Sequence, residues 1–504
     1  MAMPRQIYRD AINAFYGGKS SDVRFQKLEQ AFISSGFDIY TNPKKLTPLR
    51  TMSADEDLTF NIVNFLYENS TFYGLGVKVG GAVSKLYYKI TDPISGAWTA
   101  VTNGESASGA RGTVFFKAFH NYLYWAAAGS NRLLAHGDIT GSPTLTETAY
   151  SITNLPSAQG IVTSDDLLLV PCRNLLIKKD GAGSGPTDTW SVALTLPSDV
   201  SMTDLVEIDA NTVAIACQTI SGEGSSRVYL WDKVATDIAD YIEWGAGVLK
   251  ILDIIESELI GVSSVGGVLR GKLVVRSWSG GKARVRFEIQ SDDSTLTLYG
   301  NHTKLKIANT LSFGLKIKLD GTTYFQMASV GRKTDEFPLA FSLANLIDNN
   351  TAITSIDGAG KYNDYLFFAH NADGSVNRTA STNLFAATAT YISQKITGER
   401  QALDMVRRDK KLTMAGIICE SLPADTTLVL SVRMDGGSWT TVRTYTTSGG
   451  YGFEAGALAD GTEFVKGKEF QFKLTALGAA ADAQGLPTTI IYAYEDLGAE
   501  IDEE

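Results

Sequence analysis

The stretch NYLYWAAAGSNRLLAHGD, Asn121 to Asp138, decides the fold. A polar residue opens it, a burst of strand-forming residues follows, Gly-Ser-Asn makes a turn, and Arg132 starts a second apolar burst. Two such bursts joined by a short turn make a β-hairpin. The outline returns as NSTFYGLGV from Asn69, DDLLLVP from Asp165, NTVAIAC from Asn211, SELIGVS from Ser257, NTLSFGL from Asn309 and NDYLFFA from Asn363. From Asn69 onward the openings lie 52, 44, 46, 46, 52 and 54 residues apart. A second burst usually follows each, as in SKLYYKI from Ser84, RNLLIKKD from Arg173, SRVYLWD from Ser226 and GKLVVRSW from Gly271.

A repeat of this length with paired hairpins predicts the four-stranded blades of a β-propeller. One such sheet cannot bury both its faces, whereas sheets stacked around an axis cover one another. The expected fold class is therefore all-β: a propeller of about seven blades over residues 51–390, with an N-terminal arm and a C-terminal β-sandwich. ARVRFEIQSDDSTLTLYGNHTKLKIAN breaks the rhythm and reads as a hairpin insertion near 283–309. Residues 1–50 read as a docking arm that needs another surface to lie on. Alternation in TLVLSVRMD and EFQFKLTAL, with the glycine turn of MDGGSW between them, predicts the sandwich over 391–495. An acidic tail, 496–504, ends the chain.

The 504 residues are too many for one core. The net charge of -10 is unevenly spread: the first fifty residues hold eight Lys/Arg against four Asp/Glu, and the last ten carry six acids. No basic cluster is dense enough to neutralise a run of phosphates. The three cysteines, Cys172, Cys217 and Cys419, are scattered, which argues against a disulfide framework and for assembly in a reducing cytosol. MAMPRQIYRD lacks the apolar stretch of a signal peptide, and no apolar run is long enough for a membrane helix.

The residues suggest no reaction centre. GGKS at Gly17–Ser20 lacks the leading glycine of a phosphate loop, because position 13 is Asn. The four histidines, His120, His136, His302 and His370, form no metal-ligand spacing. Asp165, Asp166, Glu258 and Asp364 sit at the turns that begin strands, where capping is their ordinary role. No catalytic residue, metal site or cofactor is expected. Trp125, Trp231 and Trp278 suit packing between blades. Trp439, after the glycine turn, is the one candidate for ligand contact.

The arm FYGGKSSDVRFQKLEQAFISSGFDIYTNPKKLTPLR, followed by a weak propeller and by RRDKKLTMAGIICESLPADTTLVLSVRMDGGSW, resembles structural proteins of tailed bacteriophages from the nozzle, baseplate or fibre-anchoring region. The resemblance spans most of the chain in layout, through loose motifs. It implies a non-enzymatic virion protein of the tail, assembled in the host cytoplasm as a homo-oligomeric ring, commonly sixfold. It implies contact with an adaptor, tube or fibre protein, transient passage of genomic DNA and no membrane partner. Arg5, Arg9, Lys44 and Lys45 are the expected arm contacts to a neighbouring subunit. The rival expectation is a carbohydrate-binding or carbohydrate-cleaving propeller with an accessory sandwich. A cellular scaffold of the WD type ranks below both, because only SRVYLWD carries the WD pair.

Overall fold

A computed structural model describes residues 7–12, 31–38, 46–50, 52–78, 83–90, 92, 94–106, 115–127, 131–137, 145–182, 185–221, 224–238, 240–266, 270–331, 339–346, 353–371, 373–379, 388–397, 408–419, 422, 427–446, 451–458, 460–464, 466–477 and 489–498. Over these residues the chain is all-β, and its single helical element is the 3₁₀ turn Asn301–Thr303. Two compact units form: one from residues 52–327 and 350–379, the other from 1–51, 328–349 and 380–504. Residues 328–349, which the repeat pattern assigned to the propeller, thus group with the C-terminal unit.

In the repeat unit, four consecutive strands make each of five sheets. The first sheet runs from Phe60–Glu68 to Thr99–Ser106, the second from Phe116–Phe119 to Leu145–Ser151, and the third from Ile161–Val162 to Trp190–Thr195. The fourth runs from Val200–Asp209 to Asp240–Ala246 and the fifth from Val248–Ile255 to Arg284–Gln290. In the sixth, the short strands Thr297–Leu298 and Leu305–Ile307 both pair with Thr310–Leu319, which neighbours Thr322–Gly331. The last sheet takes Ile356–Tyr362, Tyr365–His370 and Ser375–Thr379, and is completed by Met52–Asp57 from the far end of the unit. Strands 60–68, 116–119, 161–162, 200–209, 248–255, 310–319 and 356–362 each touch the next in that order, and 356–362 touches 60–68 again. This cyclic neighbourhood of up-and-down sheets is the arrangement of a β-propeller.

The opening stretch explains why successive residues are apolar. Leu123 and Trp125 pack against Tyr73, Leu75 and Leu86 of the first sheet. Tyr124 and Ala126, pointing the other way, pack against Leu168, Val170 and Ile177 of the third. Leu167 and Leu169 face Val213 and Ile215 of the fourth sheet. Both faces of each strand are buried, so the pattern is a run and not an alternation. The repeated bursts form the second and third strands of each sheet. The innermost strand precedes them.

The stretch 283–309 is not an inserted hairpin. Arg284–Gln290 is the outer strand of the fifth sheet, paired with Lys272–Trp278. Beyond it, after a turn at Ser291–Ser294, residues 299–304 separate two short strands, Thr297–Leu298 and Leu305–Ile307. The 3₁₀ turn between them carries Asn301 and Thr303 into buried positions.

One glycine is needed where the unit closes on itself. Gly374, φ +95°, accepts a hydrogen bond on its carbonyl from the Leu58 amide at 2.9 Å. A Cβ there would lie 1.9 Å from the Leu58 carbonyl oxygen. Gly374→Ala is expected to lose more than about 1 kcal/mol in denaturant unfolding, since both backbone conformation and space are denied.

The second unit holds two sheets. One is ordered Ile7–Ile12, Thr489–Gly498, Asp409–Ile418, Tyr451–Ala455, with Lys466–Gly467 also pairing to Asp409–Ile418. The other contains Ala340–Leu346, Ala31–Ser35, Thr388–Ser393, Phe470–Leu477, Thr427–Met434 and Thr440–Thr446. Both contribute to one buried cluster, in which Ile12, Leu412, Ile417 and Tyr492 meet Leu428, Leu430, Phe472 and Tyr391. The expectation of a docking arm over 1–50 is corrected here for its described residues. Ile7–Ile12 and Ala31–Ser35 are strands of these two sheets, Tyr8 stacks on Tyr494 at 5.4 Å, and the Tyr492 hydroxyl donates to Asp10 at 3.1 Å. Pairing satisfies the amides that a bare extended segment would leave to water alone.

Candidate functional site

The inner strands of the repeat unit and the turns beside them bring polar groups from six sheets to one place. Asp204, on the strand Val200–Asp209, is 1% exposed. Its Oδ1 accepts from the Leu205 amide at 2.9 Å and from Asn301 Nδ2 at 3.0 Å. Its Oδ2 accepts from the Leu252 amide at 2.7 Å and from Lys304 Nζ at 2.8 Å. Lys304 also donates to the Leu252 carbonyl at 2.9 Å and stands 3.7 Å from Asp253. Asn301 Oδ1 takes the Gln159 amide at 3.1 Å, while Gln159 Nε2 reaches Asn64 Oδ1 and the Phe116 carbonyl, each at 3.3 Å. The first to sixth sheets are thereby linked through side chains at the centre.

Burial raises the carboxyl of Asp204, and Lys304, Asn301 and the Leu252 amide pull against it. Burial likewise opposes the charge on Lys304, but Asp204 and Asp253 outweigh it and hold its pKa above the ordinary value. The arrangement fixes a buried charge with four donors and leaves Asp204 no free lone-pair direction for chemistry.

Beside this network lies a cavity of about 310 Å³, lined among others by Lys117, Gln159, Asp204, Glu207, Asp253 and Lys304. Glu207 is held by Lys233 and by the Ser164 amide at 2.9 Å. The Lys117 side chain makes no hydrogen bond or ion pair among the described residues. Burial, and then the charge of Lys304, brings its pKa down to about 8.

Of the residues singled out in the sequence, Arg9 is exposed on Ile7–Ile12, at the edge of its sheet. Arg5, Lys44 and Lys45 lie outside the described residues. Trp439 is half-buried, with the Arg433 guanidinium 4.4 Å and the Lys473 ammonium 4.8 Å from its ring centroid, so its ring is already engaged by cations. Trp125 and Trp231 are buried in the packing between sheets. Asp165 pairs with Lys233 at 2.9 Å, Asp166 with His120 at 3.0 Å, and Glu258 with Arg286 at 2.9 Å. The central residues Asp204, Asn301, Lys304 and Lys117 escaped sequence reasoning. The sequence offers no clear signal for them: Asp204 sits among Ser201, Thr203 and Glu207 as well as Met202, Leu205 and Val206.

No family model matches the chain, and no curated protein matches it. Among solved structures it is similar to the Dos1 propeller, at 12% identity and a TM-score of 0.41, over 65% of this chain and 94% of that one. It is similar to the Nup133 β-propeller domain of Vanderwaltozyma polyspora, at 12% identity and a TM-score of 0.39, over 62% and 98%. It is also similar to an exo-β-1,3-galactanase from Phanerochaete chrysosporium solved with galactose, at 12% identity and a TM-score of 0.33, over 88% and 99%. Likeness at this level carries no functional argument.

Proposed function

We propose that the chain is a non-enzymatic structural protein of a bacteriophage tail, part of an oligomeric nozzle or of a tip or fibre-anchoring ring. In this reading the repeat unit is a closed propeller of seven blades and the second unit is a β-sandwich. The tail assignment rests on the resemblance of the layout. The scaffold role rests on one observation: the central carboxylate of Asp204, placed where a propeller could present a reactive acid, spends all four of its contacts on the framework. The edge strand Ile7–Ile12, with Ile7 57% exposed and Arg9 beside it, supplies backbone and charge for a neighbouring subunit.

Native mass spectrometry of the full chain, alongside glycan-array binding and reducing-sugar release, tests the proposal. A homo-oligomer with no glycan signal is the expected result. A monomer that binds or cleaves a polysaccharide would overturn it in favour of a carbohydrate-directed propeller.

A further inference from the structure

We propose that Asn103 is a self-modification site, whose side chain condenses with the main chain at Gly104 and is hydrolysed to a mixture of aspartate and isoaspartate. Asn103 and Gly104 form the one Asn-Gly pair in the sequence. They lie on Thr99–Ser106, the outer strand of the first sheet, inside a bulge. Lys85 pairs with Glu105 and Tyr87 with Ala100, so residues 101–104 stand opposite Leu86 alone. The bulge explains both residue types. Asn103 takes φ +56°, a conformation that asparagine adopts more readily than most residues. A Cβ on Gly104 would lie 2.9 Å from the Val101 Cβ and 3.1 Å from the Leu86 Cβ.

Asn103 is exposed to water, and its side chain makes no hydrogen bond among the described residues. The acids that precede glycines elsewhere are held differently. Asp180, Asp373 and Asp460 accept from the amides of Ala182, Ser375 and Thr462 at 3.2, 3.0 and 2.9 Å, and Asp435 from that of Lys468 at 2.9 Å. Those bonds fix each carboxyl group, whereas the Asn103 amide is free to turn towards Gly104. The Gly104 nitrogen, uncrowded by a Cβ, attacks Asn103 Cγ. That N–C bond forms, the Cγ–Nδ2 bond breaks, and Nδ2 leaves as ammonia with the proton that the Gly104 nitrogen gives up. Water then opens the cyclic imide at either carbonyl, and nothing is oxidised or reduced. Isoaspartate adds a methylene to the main chain between two ties to the second sheet. The Thr102 carbonyl lies 3.1 Å from His136 Nε2, and Ser106 Oγ donates to Glu147 at 2.9 Å. Conversion therefore loosens the first sheet from the second.

Prolonged incubation of the full chain in mildly alkaline buffer tests the site. Peptide mass spectrometry reads the exchange of amide for acid, and methyl transfer from S-adenosylmethionine by an isoaspartyl methyltransferase reads the isoaspartate. Asn103 should convert at least about tenfold faster than the other asparagines, because each of those is followed by a residue with a Cβ. Asn103→Gln should abolish the methylated product, since the longer side chain must close a larger ring. In the wild type, a measurement independent of whether the variant folds, the converted fraction should exchange amide hydrogens faster in Arg132–Gly137 than the unconverted fraction. An intact Asn103, conversion spread evenly over the asparagines, or undiminished methylation of Asn103→Gln would each overturn the proposal. Equal exchange of Arg132–Gly137 in the two fractions would overturn the loosening of the sheets.

Discussion

Replacing Asp55 with alanine is expected to cost the repeat unit about 3–5 kcal/mol, because it strips the counter-charge from a buried lysine. Asp55 lies on Met52–Asp57, the strand that completes the last sheet. Its side chain and that of Lys89 are each 2% exposed, and Lys89 Nζ lies 2.9 Å from Oδ1 and 3.0 Å from Oδ2. Arg378 Nε, from Ser375–Thr379, donates to the same Oδ1 at 2.8 Å, and Trp98 Nε1 donates to Oδ2 at 2.6 Å. One carboxylate thus ties the first sheet, through Lys89 and Trp98, to the last, through Arg378. Lys89 also lies over the rings of Trp98 and Phe367, at 5.6 and 5.4 Å. Truncating Asp55 takes this carboxylate away from an ammonium that lies against aromatic rings. The pair Asp55→Leu with Lys89→Met should recover much of the loss, since well-packed apolar replacements of buried ion pairs are tolerated. Chemical denaturation followed by tryptophan fluorescence measures both. An Asp55→Ala midpoint close to that of the wild type would show that this carboxylate does not fasten the sheets.

The second large effect is expected at Asp204. Asp204→Ala removes the acceptor for two backbone amides, for Asn301 and for Lys304 together. Lys304 would keep Asp253, at 3.7 Å, as a counter-charge, so its share of the loss falls below the about 3–5 kcal/mol of a wholly stranded ammonium, and each stranded buried donor adds about 1–3 kcal/mol where no water replaces the bond. Lys304→Met should cost less, because Asp204 keeps three of its four donors. The two changes should combine non-additively, with a coupling of about 0.5–3 kcal/mol in a double-mutant cycle read by denaturant unfolding. Strict additivity would mean that the pair contributes nothing as a pair. Hydrogen exchange of the Leu252 amide gives a local check: it should lose protection in Asp204→Ala ahead of the surrounding strands.

The outer parts of the repeat were legible because each second strand opens on a turn residue and is apolar on both faces. NYLYWAA and DDLLLVP show this, and their partners are local hairpins. The centre was not legible, because its contacts join residues far apart in the chain. Gln159 meets Asn301 142 residues away, and Asp204 meets Lys304 100 residues away. Nor does the pattern of the innermost strands repeat. The third sheet contributes only Ile161–Val162 there, and the sixth contributes two fragments and a 3₁₀ turn. That irregularity made 283–309 look like an insertion. Nothing local in the run Asp55-Glu56-Asp57 marks a core position, yet Asp55 is among the most enclosed charges described. Its partners lie 34 and 323 residues away, beyond any local pattern. The first fifty residues misled for a related reason: the strands that Ile7–Ile12 and Ala31–Ser35 join belong to the other end of the sequence.

Met52–Asp57 also imposes a timetable on synthesis. Asp55 leaves the ribosome 323 residues before Arg378, so the nascent chain carries this strand through nearly the whole translation of the unit with its final neighbour not yet made. Translation at about 5–20 residues per second makes that wait tens of seconds, far longer than a hairpin takes to form. Three consecutive acids on the waiting strand discourage premature pairing with other growing edges. Everything between can fold sheet by sheet as it emerges, but the last join must follow the synthesis of Ser375–Thr379. A ribosome stalled before that point would therefore hold a chain with most sheets built and a protease-sensitive N-terminal strand.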